Sequence, residues 1–128
     1  MDKHISSQFD AELSGVSSRV LELGGLVESQ IRHAVYALSQ FSVEVADQVI
    51  GTEKQVNAVE VDIVRELSSI IARRQPTARD LRLLMAISKI TANLERAGDE
   101  SERIARMVKL IVEQGVTRSL PASELRVA

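Results

Sequence analysis

The sequence divides at residues 73–80, which read Arg-Arg-Gln-Pro-Thr-Ala-Arg-Asp. Pro76 disfavours the helical conformation in the residue before it, so a helix that arrives from the N-terminal side ends near Gln75. Thr77 supplies a capping hydroxyl and Asp80 follows three positions later, a pattern close to the capping box that begins a helix. A connection this short makes the two flanking helices antiparallel neighbours.

On both sides of this turn, apolar residues recur at alternating steps of three and four, which is the helical period. The first helix is predicted to begin at Ser7, capped with the help of Asp10, and to end at a break over residues 40–42. Ser42 is then predicted to cap the second helix, and Gly115 to stop the third. The predicted core positions are Phe9, Leu13, Val16, Val20, Leu23, Val27, Ile31, Ala34, Leu38 and Phe41 in the first helix, Val45, Val49, Val56, Val59, Ile63, Leu67 and Ile70 in the second, and Leu83, Ile87, Ile90, Leu94, Ala97, Ser101, Ile104, Val108 and Ile111 in the third.

Helices of about 30 to 37 residues with short connections predict an all-α fold, an elongated antiparallel up-down-up three-helix bundle. We predict that one domain covers residues 1–115. Residues 116–128 have little apolar periodicity and are predicted to be a loop or a frayed end.

The composition excludes several classes of function. Aromatic residues make up 2% of the 128 residues and the formal net charge is −2, which together argue against nucleic acid as the main partner. The chain has no cysteine, and therefore no disulfide, thiol nucleophile or cysteine zinc site. No apolar run approaches the roughly 20 residues that span a bilayer, and the N-terminus lacks the apolar core of a signal peptide. We therefore expect a cytoplasmic protein that does not insert directly into a membrane.

Two acidic stripes are the strongest local signal for chemistry. Glu95 and Asp99 are four residues apart and share one face of the third helix. Glu53, Asn57 and Glu60 form a polar stripe on the second helix. Antiparallel register about the turn places Asn57 near Glu95, and it places Glu53 near Asp99. Oxygen donors that converge from two helices suit magnesium, manganese, calcium or iron. The same spacing is also typical of two solvated faces, and the sequence leaves both interpretations open.

Four arginines surround the turn between the second and third helices. Arg73 and Arg74 lie at the end of the second helix, where cations are favourable against the helix dipole. Arg79 and Arg82 lie at the start of the third helix, where the dipole disfavours them. We interpret this basic tip as a surface that binds an acidic partner or an anion, with ordinary surface polarity as the alternative.

Glycines inside the predicted helices are a further anomaly. Gly98, between Glu95 and Glu100, costs about 1 kcal/mol relative to alanine in a helix interior. The pair at residues 24–25 costs about 2 kcal/mol together. A close neighbouring helix would explain this pair, and so would a kink.

Catalysis has no support in the sequence. No phosphate-binding glycine loop, nucleophile elbow or nucleophile-base pair can be assembled. Ferritin-like di-iron bundles need Glu-x-x-His pairs, whereas the histidines here are His4 and His33 and neither follows a glutamate by three residues. We expect a protein that is not an enzyme.

Four separated blocks, at residues 4–9, 24–28, 71–82 and 94–99, resemble the PhoU family of phosphate-uptake regulators in order and spacing. The resemblance covers about residues 4 to 112. It implies a three-helix PhoU repeat, in agreement with the bundle predicted from periodicity. It also implies a Glu/Asp-x-x-x-Asp motif, matched by Glu95 and Asp99, that binds iron or other metals in some members.

The function that the resemblance implies is negative regulation of phosphate uptake and of phosphate-starvation signalling. Its implied partners are the ATPase subunit of an ABC phosphate transporter and a phosphate-sensing histidine kinase, which would hold the protein at the periphery of the inner membrane. Two alternatives stay open, namely a metal-binding bundle with a storage or redox role and a purely structural helical domain.

Family proteins usually carry two such repeats, and this chain matches the N-terminal one. Residues 116–128 are then the start of a second repeat, or the chain is a lone repeat that associates with itself. A lone repeat exposes the apolar face that would meet the second, so we expect a homodimer or larger homo-oligomer.

Overall fold

The computed structural model describes residues 2–115, with side chains from residue 7 onward. Helix α1 spans Asp2–Gln40, α2 spans Val43–Arg74 and α3 spans Ala78–Glu113. Each helix packs against both of the others. The all-α three-helix bundle is therefore confirmed. Residues 116–128 lie outside the described residues, so the domain boundary at residue 115 stays a prediction.

The connection between α1 and α2 is as short as the sequence predicts. The hydroxyl of Ser42 accepts a hydrogen bond from the Val45 amide at 3.2 Å, and the Ser42 amide donates to Ala37 O at 3.0 Å. Phe41 takes the left-handed conformation, with φ of 51°. These bonds satisfy amides and carbonyls that the two helix ends would otherwise leave without partners.

The turn between α2 and α3 also forms as predicted. Gln75 has φ of 45° and donates from its amide to Ile71 O, which closes α2 just before Pro76. Thr77 Oγ1 accepts from the Asp80 amide at 3.3 Å and begins α3. At the other end of α3, Gly115 has φ of +67°, as expected of a residue that ends a helix.

The predicted start of α1 is wrong. The helix begins at Asp2, so Ser7 and Asp10 lie inside it. Residues 2–8 contain no proline or glycine, and Ile5 stands four positions before Phe9, so the helical period continues upstream of Ser7. A possible capping residue does not end a helix when the pattern before it is also helical.

The core follows an unbroken heptad on α1. Phe9, Val16, Leu23, Gln30 and Ala37 are each seven residues apart and all are buried. This is the spacing of helices that pack at shallow crossing angles. The core of α3 repeats it, with buried residues at Leu84, Thr91, Gly98 and Ala105.

Five predicted core positions are wrong, because their side chains are 40–49% exposed. They are Ile31, Leu38, Phe41, Leu83 and Ile90. Four of them stand one residue from the true core position, and Phe41 lies in the connection. Beside Ile31, Leu38 and Ile90 the buried neighbour is polar or smaller, so hydrophobicity alone favours the exposed residue. Beside Leu83 the buried neighbour is another leucine, Leu84, and hydrophobicity does not distinguish the two.

Two apolar clusters fill the bundle. The larger contains bulky residues such as Leu23, Ile63 and Leu84 and lies toward the Pro76 end. The smaller contains Ala34, Ala37, Ala46, Val49, Ala105 and Val108. Between them along each helix lie the buried residues Gln30, Glu53, Gly98 and Ser101, which we call the polar layer.

The glycine pair at residues 24–25 does not mark a close helix contact. An added Cβ at either position meets nothing within 4 Å among the described residues. Close approach of a neighbouring helix is therefore wrong as its explanation. None of the three described helices is long and apolar enough to cross a membrane.

Candidate functional site

The centre of the polar layer is a buried hydrogen bond between α1 and α2. Gln30 is 1% exposed and Glu53 is 4% exposed. Gln30 Nε2 donates to Glu53 Oε2 at 2.7 Å and to Val49 O at 3.2 Å. Both amide hydrogens are thereby used, and the side chain of Gln30 is fixed to α2 at two points.

Gly98 of α3 closes this arrangement from the third side. A Cβ at residue 98 would lie 2.8 Å from Gln30 Oε1, 3.4 Å from Glu53 Oε2 and 3.5 Å from Val56 Cγ1. The first distance is shorter than real Cβ contacts. A side chain at this position would displace the Gln30 amide from its two hydrogen bonds, which favours a glycine here although glycine weakens a helix interior.

An acidic cluster lies beside the polar layer. Carboxylate oxygens of Glu53, Asp99 and Glu102 lie within 4.8 Å of one another. Glu53 is buried, and the two α3 residues are half-buried. Glu102 also forms an ion pair with Arg106 at 3.0 Å. The cluster thus places carboxylates of α2 and α3 against one another, with Arg106 paired to one of them.

The environment shifts two carboxyl groups toward the protonated form. Burial raises the pKa of Glu53, and the neighbouring Asp99 raises it further, while the hydrogen bond from Gln30 acts in the opposite direction. Burial also raises the pKa of Glu95, with further contributions from Asp99 and Glu60. Negative charge is therefore crowded here and incompletely compensated by the protein.

Two buried oxygens of the layer have no partner. Glu53 Oε1 and Gln30 Oε1 accept no hydrogen bond from any described residue. A buried acceptor without a donor is costly, and a bound cation is one way to satisfy it. Carboxylate and amide oxygens are the ligands that hard cations prefer. The residues present therefore fit a magnesium, manganese, calcium or iron ion.

The structure brings together most of the residues predicted from the acidic stripes. Glu53 lies beside Asp99, as the antiparallel register requires. Glu95 is close enough to Asp99 and Glu60 for both to raise its pKa. Asn57 is exposed and makes no hydrogen bond to another described residue. Four of the five predicted residues therefore lie along one acidic surface, whereas the expected approach of Asn57 to Glu95 stays a prediction.

Two members of the site, Glu102 and Gln30, are not predicted from the sequence. Glu102 stands three residues after Asp99, on the same helix face as Glu95, so extension of the stripe by one turn would have found it. Gln30 is on the heptad that begins at Phe9, and a strict count in steps of seven would have placed it in the core. Because its side chain is polar, a choice of core positions by hydrophobicity does not include it.

The predicted basic tip separates into two pairs. Glu12 of α1 forms ion pairs with both Arg73 and Arg74, and the Arg74 contact measures 2.7 Å. Hydrogen bonding from Arg74 is the main cause that lowers the pKa of Glu12, and Arg73 contributes as well. These two arginines therefore fasten the end of α2 to α1.

Arg79 and Arg82 differ from that pair. Both are exposed, and neither makes an ion pair or hydrogen bond to another described residue. Their charge is available at the surface beside the turn. They are the members of the basic tip that remain free to contact another molecule.

Comparison with known proteins gives a consistent result. A family model described as "PhoU domain" matches residues 20–108. A phosphate-specific transport system accessory protein PhoU homolog from Burkholderia sp is 50% identical over 115 residues, which cover 90% of this chain and 49% of that protein. The phosphate-specific transport system accessory protein PhoU of Escherichia coli strain K12 is 47% identical over 106 residues, which cover 83% of this chain and 44% of that protein.

A solved structure supports the same relationship. The crystal structure of PhoU from Pseudomonas aeruginosa matches with a TM-score of 0.80 and 46% identity, covering 84% of this chain and 51% of that one. The chain therefore spans about half the length of the curated relatives it matches.

Proposed function

The chain belongs to the PhoU family, and from this premise we propose that it is a non-catalytic negative regulator of phosphate uptake and phosphate-starvation signalling. In this proposal it couples an ABC phosphate transporter to a phosphate-sensing histidine kinase. The relatives' names as accessory proteins of phosphate-specific transport are the observation that carries it. Its proposed place is the cytoplasm, at the periphery of the inner membrane where these partners expose their soluble parts.

Arg79 and Arg82 are the proposed docking surface for such a partner. They are exposed and unpaired among the residues that the structure describes, whereas Arg73 and Arg74 are held by Glu12. Arg73 and Arg74 contribute to this surface indirectly, because their ion pairs with Glu12 fix the end of α2 next to Arg79 and Arg82. An acidic patch on the ATPase subunit or on the kinase would be electrostatically complementary to it.

Binding of the chain to the transporter ATPase subunit and to the cytoplasmic region of the kinase tests this function. Arg79→Glu with Arg82→Glu is expected to weaken binding to at least one of them. Arg65→Glu with Lys89→Glu is the matched control, because it makes the same charge change at exposed residues away from the tip that also have no ion pair among the described residues. Equal partner binding by the two double variants would show that Arg79 and Arg82 are not the docking surface. Absence of binding by the unsubstituted chain to either protein would contradict the adaptor role.

A bound metal ion is the second part of the proposal. Glu53, Asp99 and Glu102 would hold it, and Glu95, Glu60 and Asn57 are the further ligand candidates that the two stripes supply. The buried, unpartnered Glu53 Oε1 is the observation that supports a cation here. When bound, the ion would supply positive charge that offsets the crowded carboxylates between α2 and α3.

The same acidic surface is the specific observation that favours a second candidate, a metal-storage or redox bundle. Metal analysis of the purified protein and a turnover assay with bound iron separate the two. A stoichiometric ion without turnover supports the regulator, and sustained oxidation or release of iron supports the alternative.

Self-association is proposed through the exposed apolar residues. Ile31 and Leu38 on α1, and Leu83 and Ile90 on α3, are each seven residues apart, so they extend the packing pattern of the core onto the surface. A second copy of this chain, with the same spacing, is the proposed occupant. Sedimentation of the protein as a homodimer at micromolar concentration is expected, and a strict monomer at high micromolar concentration would contradict it.

A further inference from the structure

Gln30 is a buried polar side chain whose place in the core is not explained by packing. The other positions of its heptad between residues 9 and 37 are apolar, namely Phe9, Val16, Leu23 and Ala37. A leucine or methionine at residue 30 would fill similar volume without burying an amide. Burial of a polar group is unfavourable unless each of its polar atoms is hydrogen-bonded, and Oε1 of Gln30 accepts nothing from the described residues.

A second cost at the same place points in the same direction. Helix α3 carries a glycine at residue 98, although glycine weakens a helix interior, and the nearest atom to its missing Cβ is Gln30 Oε1. The glycine at residue 98 therefore lowers the intrinsic stability of α3 and leaves space for the Gln30 amide of α1. The buried amide at residue 30 and the glycine at residue 98 have the same consequence: together they allow the hydrogen bond from Gln30 to the Glu53 carboxylate.

The orientation of the amide is set by its two acceptors. Glu53 Oε2 and Val49 O both require a donor, so Nε2 must face them and Oε1 must face Gly98. The reversed amide would place an oxygen against a carboxylate and a carbonyl, which is repulsive. Gln30 therefore occupies one defined position and holds one oxygen of Glu53.

We propose that Gln30 is the positioning residue of the cation site, and this inference rests on the cation proposed above. By holding Oε2, Gln30 prevents rotation of the Glu53 carboxylate and leaves Oε1 as the oxygen available to an ion shared with Asp99. Gly98 provides the space that this position of Gln30 requires. The role corresponds to that of outer groups that orient a metal ligand without touching the metal.

Manganese(II) affinity, measured by calorimetry and by electron paramagnetic resonance on the whole chain, tests the role. Gln30→Met keeps the volume and removes both polar atoms. Loss of an orienting group of this kind weakens metal binding by about 10- to 100-fold. Thr91→Val is the matched control, because Thr91 is also buried in the heptad core of α3 and, among the described residues, its hydroxyl bonds only to Ile87 O in its own helix. We expect Thr91→Val to bind manganese as the unsubstituted chain does.

The dependence on Glu53 separates positioning from a general effect on folding. Glu53→Gln should weaken manganese binding on its own, and Gln30→Met should have no further effect in that background, because the carboxylate it positions is gone. The melting temperature of each metal-free variant shows that the bundle is intact.

Each remaining outcome counts against the inference. If Glu53→Gln loses affinity while Gln30→Met does not, the positioning role is wrong and the cation site stands. If Gln30→Met and Thr91→Val lose affinity equally, core packing explains both and the positioning role is wrong. If the unsubstituted chain binds no manganese, or Glu53→Gln binds it normally, the proposed site fails and the role of Gln30 fails with it.

Discussion

Gln30 of α1 donates a hydrogen bond of 2.7 Å to Glu53 of α2, and both side chains are buried between two apolar clusters. Through this bond α1 contacts the acidic surface formed by the other two helices. The site is a property of all three helices, although its carboxylates come from α2 and α3 alone.

Gly98→Ala is expected to destabilise the protein although alanine favours helix by about 1 kcal/mol. The added Cβ would lie 2.8 Å from Gln30 Oε1, so the amide must move and weaken its bond to Glu53. A hydrogen bond to a charged group contributes about 1.5–3 kcal/mol, so we expect a net loss of about 1 kcal/mol in urea unfolding.

The same substitution should change sign when Gln30 is shortened. In a Gln30→Ala background nothing closer than 3.4 Å remains beside the added Cβ, so Gly98→Ala should stabilise the bundle by up to about 1 kcal/mol. Equal effects in the two backgrounds would show that Gln30 is not the reason for the glycine.

Truncation of α1 leucines separates core from surface. Leu23 is fully buried in the larger apolar cluster, whereas Leu21, two residues earlier, is 77% exposed. Leu23→Ala should lower the free energy of unfolding by about 2–5 kcal/mol, and Leu21→Ala should change it by less than about 0.5 kcal/mol. Similar losses in the two variants, measured by chemical denaturation, would contradict the assigned heptad.

The ion pairs of Glu12 predict a loss of stability in acid. The folded protein holds the pKa of Glu12 below its ordinary value of 4.5, through Arg74 first and Arg73 second. Its contribution to stability is therefore complete above that value and disappears as the pH falls through the lowered pKa.

Glu12→Gln removes this contribution, so the difference in stability between the two proteins should shrink as the pH falls from about 5 to about 3. Glu22→Gln, at an exposed position of the same helix, is the control and should run parallel to the unsubstituted protein. If the difference in stability between Glu12→Gln and the unsubstituted protein stays constant over this range, the ion pairs of Glu12 do not cause the loss of stability in acid.

The fold was predictable because its signals are local. Pro76 with Thr77 marks one connection, Ser42 caps the helix after the other, and the apolar period between them is regular. The start of α1 was not predictable from a possible cap alone, because capping residues are also tolerated inside helices.

The core register was harder to predict than the helices. Ile31 and Ile90 are larger and more apolar than Gln30 and Thr91, yet the latter are buried and the former exposed. Burial follows the geometry of three packed helices, which repeats every seven residues. When one of these heptad positions is polar, hydrophobicity alone assigns the core to an apolar neighbour instead.

The candidate site was predictable only as far as its carboxylates. Spacing on α2 and α3 and their antiparallel register bring Glu53 to Asp99. The contribution of Gln30 requires knowledge of how α1 is rotated against α2, and no residue pattern in α2 or α3 contains that information. The anomaly at Gly98 was visible in the sequence, whereas its cause was not.

Thermal unfolding with and without metal is the most direct test of the claim that the acidic surface holds a cation. Magnesium, manganese, calcium and iron are each added in millimolar excess to the unsubstituted chain and to Glu95→Gln with Asp99→Asn. We expect at least one cation to raise the melting temperature of the former, with a gain of about 2.7 kcal/mol when free metal is 100 times its dissociation constant. The variant with Glu95→Gln and Asp99→Asn, the double amide, should show no metal-dependent rise in melting temperature. Because repulsion between the carboxylates is removed, it should be at least as stable as the metal-free unsubstituted chain. If all four cations leave the melting temperature unchanged, or if the double amide responds as the unsubstituted chain does, the carboxylates form only a solvated surface.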